Sequence, residues 1–197
     1  MGEVVRKLVV IEFVSLDGVM QGLGSPEEDR DGGFEHGGWA APFFDKVQGA
    51  AAVEGLASTT AYLFGRKTYE KLSNYWPHQP DADPMAAHLN ATPKYVATRT
   101  LSSLTWPNAE VLDGELLSAV RRLKSQGDGN VAVLGSGVLV QELIRNDLVD
   151  GYHLFLHPLL LGAGKRLFRE MDRPRRLQLS DCTPTPTGVL MLTYESV

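Results

Sequence analysis

Val131-Ala132-Val133-Leu134-Gly135-Ser136-Gly137-Val138-Leu139-Val140-Gln141-Glu142-Leu143-Ile144 is the stretch on which the fold reading turns. It opens with four unbroken apolar residues, which suits a short strand buried on both faces. Gly-Ser-Gly follows as a tight turn, and from Val138 the apolar residues resume as the start of a helix. A strand, a small-residue turn and a helix form the repeating unit of a parallel α/β sheet.

The alternation continues on both sides. Residues 8–14 are a β-branched apolar run ended by Leu16-Asp17-Gly18, and 61–64 form a second buried strand stopped by Gly65. Residues 67–72 read as a short helix, 95–98 as a strand, 116–123 as a helix with an apolar stripe, and 152–156 as another strand. Pro42 is tolerated in a first helical turn and opens a predicted helix, with Phe43, Phe44, Val47, Ala50, Ala51 and Leu56 at roughly helical spacing. Residues 22–38 are a Gly-rich polar loop, and 74–84, with three prolines, are another. Residues 177–182 and 189–195 flank a Thr-Pro turn and read as an antiparallel pair. The expected fold is α/β: a mostly parallel central sheet, helices on both faces in three layers, and an antiparallel carboxyl-terminal edge. It is expected to form one domain over residues 1–197.

Composition narrows the function. The 197 residues are 43% hydrophobic and 22% charged, which is ordinary for a globular chain. The formal net charge is -5 and no Lys/Arg run builds a basic face, so nucleic acid is not an expected partner. The acids gather in Glu27, Glu28, Asp29, Asp31 and Glu35, read as a solvated loop. A single cysteine, Cys182, allows neither an internal disulfide nor a cysteine-based metal site. His153 and His157 lie on one strand about 13 Å apart, too far to share a metal, and no metal is expected. No leader-like amino terminus and no run of 18 apolar residues is present, so the chain reads as cytoplasmic, with no membrane partner.

Three strand ends carry chemistry. Gly135, Ser136 and Gly137 let a ligand approach the backbone, and the helix that follows offers unpaired N–H groups and a positive dipole end; a plain tight turn is the competing reading. Gly65-Arg66-Lys67-Thr68-Tyr69-Glu70 places two cations at a helix start, which the dipole disfavours unless an anion lies nearby or Glu70 offsets them. Thr98-Arg99-Thr100 ends the third strand. In open α/β sheets ligands gather beyond the carboxyl ends of the strands, and these three ends together suit a dinucleotide with several phosphates.

These segments also resemble a known family. Gly65-Arg66-Lys67-Thr68-Tyr69-Glu70 and Val133-Leu134-Gly135-Ser136-Gly137 are similar to the two cofactor-binding turns of dihydrofolate reductases. Ser15-Leu16-Asp17-Gly18 and Pro158-Leu159-Leu160-Leu161-Gly162-Ala163-Gly164-Lys165 are more like the reductase domain of riboflavin biosynthesis. The resemblance runs in order from about Lys7 to Val197. The chain departs from dihydrofolate reductases in its Gly-Ser-Gly turn, and in Trp39-x-x-Pro42-x-x-Asp45, where the acid stands one residue late. That slip turns a side chain on a helix by about 100°. The whole looks most like stand-alone proteins with a riboflavin-reductase-type domain.

The resemblance implies an NADPH-dependent reductase of a small heterocyclic molecule, a pteridine or a pyrimidine. The alternatives are a riboflavin-pathway 5-amino-6-(ribosylamino)pyrimidine reductase and a non-catalytic nucleotide-binding protein of the same fold. It implies Gly65, Arg66, Lys67 and Thr68 at the diphosphate, Thr98 and Arg99 at the 2′-phosphate, and Gly135, Ser136, Gly137 and Val138 beside the pyrophosphate and nicotinamide. Asp17 and Asp45 are the candidate proton sources, and Trp39 and Asp17 the candidate substrate contacts. A homodimer is expected, from the apolar run at residues 152–161 and from the pairing of related domains.

Overall fold

A computed structural model describes residues 5–197; the first residues of the amino-terminal stretch read above lie outside them. Eight strands form a sheet in the order β4-β3-β2-β5-β1-β6-β8-β7. They are β1 (Lys7–Ser15), β2 (Thr59–Gly65), β3 (Lys94–Ala97), β4 (Ala109–Val111), β5 (Asn130–Val133), β6 (Gly151–His157), β7 (Leu177–Pro184) and β8 (Leu190–Ser196). The helices are α1 (Lys46–Leu56), α2 (Arg66–Ser73), α3 (Pro84–Ala91), α4 (Leu116–Lys124) and α5 (Gly137–Arg145). β1 pairs in parallel with β5, β5 with β2, β2 with β3, and β3 with β4. β8 runs antiparallel to β7, as the apolar blocks around the Thr-Pro turn led us to expect, and antiparallel to β6 as well.

The contacts divide the chain into two compact units. The first holds residues up to Val10 and Ala52–Asp150. Its strands are buried almost throughout: Leu8, Val10, Leu63, Phe64, Val96, Val131 and Val133 are fully enclosed. Continuous apolar runs are what parallel strands covered on both faces require. α4 and α5 turn Val120, Leu123, Val140 and Leu143 inward, the apolar stripes seen in the sequence. Lys94 is fully buried, and its ammonium caps the end of α3 by donating to the carbonyls of Leu89 (2.6 Å) and Thr92 (2.7 Å).

The second unit holds Ile11–Ala51 and Gly151–Val197. Val19, Phe34, Trp39 and Ala40 form its core beneath the Gly-rich loop. The acidic loop is less solvated than its composition suggests. The Lys165 ammonium binds Asp29 at 2.7 Å and Asp31 at 2.8 Å, and its backbone N–H donates to Gln21 Oε1.

Two local expectations are corrected. Pro42 opens a 3₁₀ turn, Ala41–Phe43, and α1 begins only at Lys46 because Phe44 is extended. Residues 84–91, outside the expected elements, form α3, started by Pro84 behind the Asp83 cap. Within the apolar run of residues 152–161, β6 is mostly buried and Leu160 past its end is exposed. Among the described residues no helix is long and apolar enough to cross a membrane.

Candidate functional site

In the first unit, parallel pairing brings three strand ends side by side. Ala97 lies opposite Gly65, and Leu63 opposite Val133. The Gly65 N–H then donates to Gly135 O at 3.2 Å, so the turns after β2 and β5 touch through their backbones. A Cβ on Gly65 would overlap Ser136 Oγ and stand 3.1 Å from Ser136 N. Gly135 adopts φ +82°, a conformation that side-chain-bearing residues rarely take. The two glycines are thus needed where the sequence suggested them, by contact in one case and by backbone conformation in the other.

Two helices start at this junction, and neither is capped by a side chain. α2 follows Gly65 and α5 follows Ser136, whose hydroxyl makes no cap bond. The other helices close their first turns internally. Asp45 Oδ1 accepts from the N–H groups of Val47 (2.9 Å) and Gln48 (3.0 Å) at α1. Asp83 Oδ1 accepts from Met85 and Ala86 at α3, and Glu115 accepts from Leu117 and Ser118 at α4. The open first turns of α2 and α5 therefore carry donors and dipole charge for an anion.

The flanking side chains suit the same ligand. Arg66 is held by Glu70 through two bonds of 2.9 and 3.0 Å, so Glu70 does offset one of the two cations. Lys67 is exposed and Thr68 half-buried in the first turn of α2. Thr98 Oγ1 accepts from the N–H groups of Thr100 and Leu101, shaping the turn after β3. Arg99 at that turn is exposed. Val138, 74% exposed, puts an apolar surface on the first turn of α5. A cradle that a Cβ would fill, two open helix ends and exposed cations fit a dinucleotide's phosphates.

The second unit carries the carboxyl groups. Asp17 is a clamp: its Oδ1 accepts from Ser15 Oγ (2.6 Å) and Leu161 N, its Oδ2 from Gly162 N (2.9 Å), and Arg166 lies 3.5 Å away. The Ser15 hydroxyl first, then these backbone N–H groups, hold its pKa at about 2. Asp45 is likewise committed, through the α1 cap and a 2.9 Å bond from Thr187 Oγ1 to Oδ2, and its pKa is also about 2, chiefly from the Gln48 N–H. Both are ionised at neutral pH. Trp39 is buried, donates from Nε1 to Gln21 O at 2.7 Å, and meets His157 edge-on. It anchors the Gly-rich loop rather than presenting a face.

Glu12 was not singled out by the sequence reading, and His157 was weighed there only as a metal ligand. His157 is buried beside Phe13, Trp39 and Phe43, with Nδ1 2.9 Å from Phe155 O, and burial lowers its pKa. Glu12 is only 4% exposed, its Oε1 has no hydrogen-bond partner, and burial pushes its pKa up to about 8. The available signal was a lone carboxyl inside an otherwise apolar strand.

Comparison with known proteins agrees with this architecture. The family model for the RibD C-terminal domain matches residues 6–191. Protein YyaP of Bacillus subtilis (strain 168) is 24% identical over 196 residues, covering 96% of this chain and 94% of YyaP. The crystal structure of a Shewanella sp. PV-4 protein named for riboflavin biosynthesis superposes with a TM-score of 0.70 at 18% identity, covering 97% of this chain and 99% of that one. Dihydrofolate reductase from Enterococcus faecalis, solved with NADP(H), gives a TM-score of 0.60 at 13% identity, over 96% of each chain.

Proposed function

The chain belongs to the RibD C-terminal domain family, and from that premise we propose that it is an NADPH-dependent reductase of a small heterocyclic substrate, of the pteridine or pyrimidine class. The observation that carries this reading is the pair of uncapped helix starts meeting at Gly65 and Ser136. When bound, NADPH supplies a hydride; the chain's part is to hold it and to exclude water.

In this reading Gly65, Gly135, Ser136 and Gly137 admit the pyrophosphate to the N–H groups of α2 and α5. Lys67 and Arg66 add positive charge and Thr68 a hydroxyl at α2. Arg99 receives the 2′-phosphate through a two-pronged guanidinium contact, with Thr98 shaping its turn. Val138 gives the nicotinamide side an apolar rest. Asp17 and Asp45, ionised and saturated with donors, act as fixed braces of the second unit.

A riboflavin-pathway acceptor is supported by the name of the Shewanella neighbour, and a pteridine by the dihydrofolate reductase neighbour. The non-catalytic alternative requires binding without turnover. Titration with NADPH and NADH decides the cofactor. Arg99→Ala should weaken NADPH binding by about 1.5–3 kcal/mol, the range of a charge-assisted hydrogen bond, and leave NADH nearly unchanged. Equal losses for both cofactors would remove Arg99 from the 2′-phosphate.

A further inference from the structure

We infer that Tyr69 is the positioning residue behind a preference for NADPH over NADH, a role that rests on the reductase reading above. It ties the loop that carries Arg99 to the helix that would take the diphosphate. Tyr69, this loop and α2 all lie in the first unit. The loop runs from Thr98 to Asn108, between β3 and β4. At its start Ala97 pairs with Gly65, and Thr98 Oγ1 accepts from Thr100 N (3.2 Å) and Leu101 N (3.1 Å). Those two bonds are local and shape only the first turn. Between Val96 and Trp106 no side chain is buried, and Arg99 is exposed.

Tyr69 fastens the far end. Its phenol oxygen accepts the N–H groups of Thr105 at 3.0 Å and Trp106 at 3.1 Å, across 36 and 37 residues of sequence. Tyr69 is 4% exposed, so these bonds are made largely out of water. Trp106 is set in the core by other partners. Its ring lies parallel to Phe64 with centroids 6.0 Å apart, its Nε1 donates to Asn90 Oδ1 at 2.7 Å, and the Lys94 ammonium stands 4.8 Å from its centroid. Removing the Tyr69 hydroxyl therefore leaves the Trp106 ring held and releases the backbone on its loop side.

In α2, Tyr69 directly follows Arg66, Lys67 and Thr68, and it neighbours Arg66 on the helix surface at i, i+3. One helix start thus holds both the diphosphate candidates and the tether of the Arg99 loop. NADPH and NADH share the diphosphate and differ only in the 2′-phosphate, so a loop that places Arg99 is felt by one cofactor and not by the other. A fastened loop keeps the ordering cost low when Arg99 engages a phosphate. Loosening it spreads Arg99 over arrangements that miss the phosphate, and affinity falls with the fraction that still reaches it. A purely structural brace would lower stability and treat the two cofactors alike.

Tyr69→Phe keeps the ring and removes only the accepting oxygen. It is compared with Arg99→Ala, with the double variant and with the unsubstituted chain, in titrations with NADPH and NADH and in denaturant unfolding. Expected in Tyr69→Phe is roughly tenfold weaker NADPH binding, as when the competent arrangement drops to about a tenth of the population, with NADH affinity within about twofold. In the double variant the NADPH-to-NADH ratio should equal that of Arg99→Ala, because without the guanidinium the loop has nothing to place. An unchanged ratio in Tyr69→Phe, or an effect of Tyr69→Phe that persists undiminished in Arg99→Ala, overturns the inference and leaves the cofactor site standing.

A second measurement needs no variant. Coupling is reciprocal: if the fastened loop favours NADPH, then NADPH favours the fastened loop. Amide hydrogen exchange at Thr105 and Trp106 in the unsubstituted chain should therefore slow on saturation with NADPH and stay nearly unchanged with NADH. Equal protection by both cofactors, or by neither, overturns the role of Tyr69 even where Tyr69→Phe fails to fold. An unsubstituted chain that binds NADPH and NADH equally has no preference for Tyr69 to set, which also ends the inference while the reductase reading survives. Failure to bind either cofactor overturns the reductase reading itself and takes this role with it.

Discussion

Helices α3 and α4 begin on their own carboxylates, Asp83 and Glu115, whereas Gly65 and Ser136, at the starts of α2 and α5, make no side-chain cap bond. All four lie in the first unit. The capped pair satisfies its N–H groups from within and is finished as structure. The open pair shares one junction at the carboxyl ends of β2 and β5, joined through the Gly65 N–H and Gly135 O. The absence of a side-chain cap at two adjacent helix starts separates the candidate binding region from scaffold.

The largest way to break the contrast is to close the junction. Gly65→Ala forces a Cβ onto Ser136, whose backbone N would be only 3.1 Å away. The expected cost is about 1–3 kcal/mol of stability, typical of overpacking, together with loss of measurable NADPH binding. Combining it with Ser136→Gly removes the hydroxyl clash and should recover part of the stability. Denaturant unfolding and cofactor titration of the three proteins check both effects, and a Gly65→Ala chain that binds normally would place the phosphates elsewhere.

The contrast is sharpened by exchanging caps. Asp83→Ala should lose about 1 kcal/mol of stability, and Glu115→Ala should also lose stability, both with cofactor affinity unchanged. Ser136→Asp should do the reverse: α5 gains a carboxylate at its positive end, while NADPH binding weakens by repulsion of its phosphates. Equal effects of all three on affinity would mean that α5 is not the anion site.

The smallest expected effect concerns the braces of the second unit. Asp17 and Asp45 have native pKa values of about 2 against an ordinary 3.8. Their native-state depression gives stability that is complete above about pH 4 and is lost as pH falls toward 2. Asp45→Asn should flatten part of that acid limb in a stability-versus-pH profile and leave the neutral region nearly unchanged.

Much of this was legible in the chain. The apolar runs of β1, β2, β5 and β6 announce buried strands, because a strand covered on both faces has no polar side to show. Gly65 was read as the stop of a strand and Gly135 as a small residue of a tight turn, and each has a geometric reason to be glycine. What misled was local chemistry read without its partners. Asp29 and Asp31 look solvated in an acidic run until Lys165, more than 130 residues away, is folded onto them. Asp17 and Asp45 look available until Ser15, Leu161, Gly162 and Thr187 are found donating to them.

By itself the sequence determined the α/β class, the parallel core, the antiparallel carboxyl-terminal edge and the turns that carry the candidate cofactor site. Those follow from periodicity and from glycine's backbone, which act over a few residues. Only the tertiary structure decided which helix starts are open. Ser136 is a preferred cap type that caps nothing, while Glu115 caps its helix fully. Only folding isolated Glu12, because an unpartnered carboxyl is defined by what surrounds it and not by its own residue type.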